Sequence, residues 1–208
     1  RSWSVLSGKF TAMVLLLLAF ATASVLGSMA VQVLKGYPRI DLPVYALYVY
    51  LADFPGWLVM TAFAFLVQSL VPRKAIGHVI VILVWVGNTA TVNLGYDYRL
   101  LTVGATPALR WSDLNGTGPY LAAFPAVQAF NLSVAMLLLA LTYLVWQRGT
   151  EMAALGARLK SRFVAGTRWL ALASTAGATA AGGVFYYHAS VENRYLTRKE
   201  REAASVQY

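Results

Sequence analysis

Cysteine is absent from the 208 residues, histidine occurs only at His78 and His188, and Asp and Glu together number eight. Without a thiol there is neither a disulfide framework nor a thiolate metal site. No His-Glu-x-x-His stretch occurs, so zinc-peptidase chemistry is not expected, and no Gly-x-x-x-x-Gly-Lys-Ser/Thr loop is present to cradle a nucleotide phosphate. Paired carboxylates and nucleophile–base arrangements are missing as well. The expectation is a chain with no catalytic residue and no cofactor.

Hydrocarbon fills the space that charge leaves: 59% of residues are hydrophobic and 12% charged, with a mean hydropathy of +0.60. That balance lies outside the range of soluble domains and reads as a membrane protein. No Lys, Arg, Asp or Glu stands between Lys9 and Lys35, Asp53 and Arg73, Lys74 and Asp97, Asp113 and Arg148, or Arg168 and Glu192. A helix rising ~1.5 Å per residue needs about 20 residues to cross a ~30 Å core. The fold expected is therefore an all-α integral membrane bundle of about five transmembrane helices, at about 10–34, 54–71, 75–94, 122–146 and 169–187. The formal net charge of +9 collects at the ends of these runs and not on one soluble face, so no nucleic-acid partner is expected. Arg1, not Met, opens the sequence, and a piece of a longer polypeptide is expected.

Tyr45, Tyr48 and Tyr50 precede the second run, which places 43–52 at headgroup level. Asp53 has two readings. A carboxylate inside a span is a functional candidate by default, but in "DFPGW" it is better read as the N-cap of a helix starting at Phe54, with Pro55 in the first turn. His78 reads as an interfacial, hydrogen-bonded residue, and Asn88 and Asn93 as intramembrane polar groups that bond across helices. Gln128 and Asn131 fall in the first turns of the fourth run. In 148–168, Met152, Leu155, Leu159 and Phe163 recur at helical spacing among basic residues, the pattern of an amphipathic helix lying on the membrane surface. The last run is rich in small residues, and Ala173, Gly177 and Ala181 repeat every fourth position, which predicts close packing on a neighbour.

Counting Lys and Arg sets the orientation. With the N-terminus cytoplasmic, the inside segments hold Arg1, Lys9, Arg73, Lys74, Arg148, Arg158, Lys160, Arg162 and Arg168, against Lys35, Arg39, Arg99 and Arg110 in the outside connectors, with Arg194, Arg198, Lys199 and Arg201 of the C-terminal tail also outside and diluting the signal. This ratio predicts N-in, and five spans place the C-terminus outside.

Three stretches together carry a resemblance. "YDYRLLTVGATPALRWSDLNGTGPY", "LVWQRG" and "VFYYHASVENRYLTRKEREA", with "LSGKF" before the first run and "VLKGY" after it, resemble bacterial ABC-2 type transporter permeases fused to an M1-family aminopeptidase. Two departures stand out: Pro119 replaces a frequent histidine, and the Asn-Thr-Asn run before the peptidase is missing. The resemblance implies permease helices in 1–147 with an external loop at 95–121, a cytoplasmic amphipathic helix at 148–168, an additional span at 169–187, and an extracytoplasmic tail, 188–208, leading towards a peptidase this chain lacks. It further implies a multi-pass protein of the bacterial cytoplasmic (inner) membrane. Its partners would be the lipid bilayer, a separate ATPase subunit, and a second permease half or other membrane subunits. An alternative of another class is a non-transporting scaffold or anchor in a larger membrane complex, favoured by the scarcity of intramembrane charge.

In the external loop, Gly104, Pro107, Gly116, Gly118 and Pro119 prevent a regular helix, and Asp113 and Asn115 suit turn formation. Trp111, Asp113 and Asn115 are also the candidates for contact with an external partner, because polar residues on loops held by rigid helices commonly carry function.

Overall fold

A computed structural model describes residues 2–94, 102, 104–106, 124–146, 159, 160, 162–192 and 205. The described residues are helical or connecting, with no strand among them, so the fold is all-α. Four of its helices are long and apolar enough to cross a membrane.

Helix α1, Ser2–Leu34, has 33 residues and a length of ~50 Å. It ends where the Tyr37 amide donates to the Gln32 carbonyl and the Gly36 amide to Val33, the paired bonds of a Schellman turn. That turn requires a left-handed residue, which Gly36 supplies at φ 85°.

The next span differs from expectation. A short helix α2, Leu42–Tyr45, runs into a π-helical stretch, Ala46–Asp53, and then into α3, Phe54–Leu70. Together they form one helix of 29 residues. Pro55 therefore lies inside a helix and not at its start. Proline removes one amide and crowds the carbonyl four residues back, and the wider π winding just before it accommodates both; the Phe54 amide reaches the Val49 carbonyl, five residues back. Extended Val71 then closes α3, as a residue preceding proline should.

Helix α4 is Lys74–Asn93, α5 is Phe124–Val145 and α6 is Ala165–Tyr186, continued by a π-helical turn, Tyr187–Glu192. Helix α6 is long enough to span but is not among the four apolar ones. Its Ala, Gly, Ser and Thr residues bring less hydrocarbon, so of the five long helices four are apolar enough to cross a membrane by composition alone. Phe163 and Val164 are not helical, so the surface helix expected over 148–168 stops before Phe163; most of that segment lies outside the described residues.

Helix α5 is the centre, packed most extensively on α6 and α3, while α4 leans on α3 and α1 touches α3, α5 and the π-helical stretch. Between α3 and α5 the core is Val59, Ala62, Ala135 and Leu139, with Phe10 of α1 against it. Alanines at both faces let the backbones approach, which in lipid matters more than burying bulk. Contacts fix the directions: Phe10 meets Phe65 edge-on at 5.8 Å, Ala52 clusters with Phe124, Gln68 meets His78 at 3.1 Å, and Ser133 faces Gly177. The bundle thus has two ends. Gly36, the C-terminus of α4 and the N-terminus of α5 share one; Arg73, the N-terminus of α1 and the N-terminus of α6 share the other. Helices α1 and α4 turn most of their surface outward, with Phe20, Leu15, Leu83 and Trp85 well exposed.

Candidate functional site

The buried polar side chains that bond between elements gather on the Gly36 side, whereas buried Thr142 and Ser174 bond within their own helices and Thr167 is buried towards the other end. Gln128 and Asn131, three residues apart on α5, face the same way and are 8% and 2% exposed. The Gln128 amide donates to the Ala52 carbonyl at 3.1 Å and to Thr106 Oγ1 at 3.4 Å. Thr106 itself donates to the same carbonyl at 2.7 Å. Asn131 donates to the Ala105 carbonyl at 3.3 Å. Residues 104–106 are thereby tied to both α5 and the end of the π-helical stretch.

Glycine makes this approach possible. A Cβ on Gly56 would collide with the Gly104 carbonyl oxygen, and one on Gly104 would lie 2.7 Å from the Gly56 carbonyl oxygen. Gly104 also has φ +69°, which side chains with a Cβ rarely adopt. The loop backbone rests directly on the backbone of α3, one residue past Pro55.

Two buried atoms in the same region have no partner among the described residues, Gln128 Oε1 and the Tyr48 hydroxyl. The Ala52 carbonyl can only accept, so the Gln128 NH2 must point at it and the oxygen is left over. An unpaired acceptor and an unpaired donor in a low-dielectric setting are costly. The junction can offer a hydrogen bond of either sense, and it contains no acid–base pair.

The candidate residues from the sequence fall as follows. Asp53 has helical dihedrals and makes no side-chain cap bond, which corrects the N-cap reading: the helix continues upstream, so there are no orphan amides to cap. Its side chain lies on the exposed face of the helix, beside the junction and not in it. Asn88 is half-buried and its carbonyl accepts the Thr91 hydroxyl at 2.9 Å; Asn93 is exposed at the end of α4. Neither belongs to the junction. On α6, Gly177 faces Ser133 and Gly182 faces Phe130, with Ser174 and Phe185 buried. Ala181 is half-buried on this stripe, whereas Ala173 is exposed, so the packing face passes through Ser174 and not Ala173. Trp111, Asp113 and Asn115 lie outside the described residues.

The tyrosines expected at headgroup level turn towards protein. Tyr45 donates to Gln32 Oε1 at 2.8 Å, and Tyr50 pairs with Thr22 at 2.8 Å, tying the π-helical stretch to α1. His78 takes its hydrogen bond from Gln68. No group of His, Cys, Asp or Glu suited to a metal occurs among the described residues.

The Arg73 end has the opposite chemistry. Arg162 donates to the Tyr143 carbonyl at 3.0 Å and to that of Trp146, closing the C-terminus of α5, and its guanidinium lies 5.7 Å from the Tyr143 ring centroid. Lys9 stands 5.2 Å from the Trp146 ring and Arg168 4.9 Å from that of Phe163. All three described carboxylates, Asp41, Asp53 and Glu192, lie on the Gly36 side.

No protein-family model, curated protein or solved structure matches the chain.

Proposed function

We propose that the chain is a transmembrane permease segment of an ABC-2-like exporter, set in the bacterial cytoplasmic membrane and driven by a separate ATPase. The observation that carries this reading is the outward apolar surface of α1 and α4, of which only 11% and 6% is buried within the chain. A bundle that leaves two of its four apolar helices so uncovered is built to be one part of a larger intramembrane assembly, as a permease half is.

Orientation follows from the same layout. Arg73, Lys74, Arg162 and Arg168 gather at one end, away from all three described carboxylates, which supports placing that end and the N-terminus in the cytoplasm. The ATPase would dock there. The polar junction, with Pro55 and the π-helical stretch beside it, lies nearer the other face, where helices that must rearrange commonly carry a break in winding. Trp111, Asp113 and Asn115 belong to the external loop in this arrangement and are its candidate contacts.

A second reading, a non-transporting scaffold or anchor, draws on one observation: Asp53 is the only described carboxylate inside a candidate span, fewer than proton or ion pumps usually require.

Because the chain has no cysteine, a single Lys74→Cys reports without background. Cross-linking it in native membranes and identifying the captured protein separates the two readings. A nucleotide-binding subunit is expected; repeated capture of membrane proteins without a nucleotide site would replace the permease by the scaffold. Finding both termini in one compartment by labelling intact cells would overturn the layout itself.

A further inference from the structure

Near the Arg73 turn the 29-residue helix lies against α4: the Gln68 amide meets His78 at 3.1 Å, and a Cβ on Gly77 would strike the Gln68 side chain. Towards the Gly36 side, Ala64, Met60, Trp57 and Asp53 follow Gln68 at intervals of three and four residues, so they continue the same face. Their cover falls away in that order. Gln68, Ala64 and Met60 are half-buried, Trp57 is 38% exposed and Asp53 is exposed. Helix α4 thus covers this face beside the turn and leaves the part nearer the Gly36 side open.

An ionisable group stands on the open part. Asp53 is eleven residues in from Leu42, the first residue of the helix, or ~17 Å along its axis. Its carboxylate has neither an ion pair nor a hydrogen bond among the described residues. A carboxylate in a membrane span is costly without a partner, and such groups pair with an opposite charge. One turn on, Trp57 is held edge-on by Phe54 at 6.1 Å, and an exposed indole ring also attracts cations. The chain supplies no such cation from its spans: no Lys or Arg stands between Lys9 and Lys35, Asp53 and Arg73, Lys74 and Asp97, or Asp113 and Arg148. A second copy has the same lack.

We propose that this face, from Asp53 to Ala64, is the docking surface for a transmembrane helix of a different polypeptide, which brings a Lys or Arg to the Asp53 carboxylate and the Trp57 ring. Below that pair, Met60 and Ala64 give the incoming helix an apolar seat, where close packing supplies the rest of the contact. The pairing holds whether the assembly exports or anchors, so its failure leaves that choice untouched.

The test places the full chain in phosphatidylcholine vesicles with a dansyl-labelled leucine-alanine transmembrane peptide and reads the quenching of the chain's tryptophan emission as the peptide-to-lipid ratio rises. The peptide has a single Lys at the depth of Asp53, or Leu at the same position. The Lys peptide is expected to associate about tenfold more tightly than the Leu peptide, and Asp53→Asn to remove the difference. Exchanging the charges, Asp53→Lys with a Glu peptide, is expected to restore it. Equal association of the Lys and Leu peptides with the unaltered chain overturns the proposal, as does a preference that survives Asp53→Asn. Self-association of the chain without peptide, abolished by Asp53→Asn, overturns it too, because the occupant is then a second copy. Asp53 is exposed, so Asp53→Asn remains decisive where Asp53→Lys fails to insert.

Discussion

The two ends of the bundle handle polarity in opposite ways. On the Gly36 side, buried Gln128 and Asn131 and half-buried Thr106 are uncharged, and their donors go to backbone carbonyls of Ala52 and Ala105. At the Arg73 end cations lie over aromatic rings at the helix termini, beside uncharged groups such as Thr142, which bonds within its own helix. The difference follows from what each group costs in lipid. A neutral amide can be satisfied by one carbonyl, whereas an ammonium or guanidinium at the bilayer centre costs a few kcal/mol or more and is placed where water or headgroups reach it. One end is held by backbone geometry and the other by side-chain charge.

This contrast can be broken most severely at the backbone. Gly56→Val forces a side chain into the Gly104 carbonyl and is expected to destabilise the chain by about 3 kcal/mol, the upper range for overpacking, read by SDS titration in mixed micelles. Asn131→Leu keeps the bulk but leaves the Ala105 carbonyl without its side-chain donor; a loss of about 1–2 kcal/mol is expected in the same titration. At the other end Arg162→Gln removes a two-carbonyl closure of α5 and a ring contact at about 1 kcal/mol. Lys9→Gln, which loses only an exposed cation–ring contact, should stay within about 0.5 kcal/mol. If Lys9→Gln proved as damaging as Asn131→Leu, the distinction between the two ends would collapse. Salt sharpens it: raising ionic strength should shrink the Arg162 effect and leave that of Asn131 unchanged.

Legibility in the sequence tracked the range of the interaction. Helices α4 and α5 emerged nearly at their observed limits because charges or loop residues bound their apolar runs, a signal contained in the segment itself. Helix α6 was readable as a helix with a small-residue face, but the face was offset, since Ala173 and Ser174 differ only in which one meets α5. The 29-residue helix was misread at Pro55, where a local rule about first turns gave way to π winding upstream. The junction was the least visible part. Gln128 and Asn131 stood out as polar residues in an apolar run, and Gly104 as a helix breaker, but nothing local announces that Ala52 and Thr106, or Gly56 and Gly104, meet. Those pairings exist only in three dimensions.

The π-helical stretch, finally, acts as a gear between two neighbours. Tyr45 and Tyr50 engage α1 while Ala52 engages α5, and the winding between Ala46 and Asp53 sets the angle at which the two sets of teeth stand. Removing a single residue there turns everything on the Leu42 side by about 100° and draws it in by ~1.5 Å, disengaging α1 while α3 stays meshed. The length of this stretch sets how Tyr45 and Tyr50 meet the first helix, beside the direct packing of Phe10 on the core.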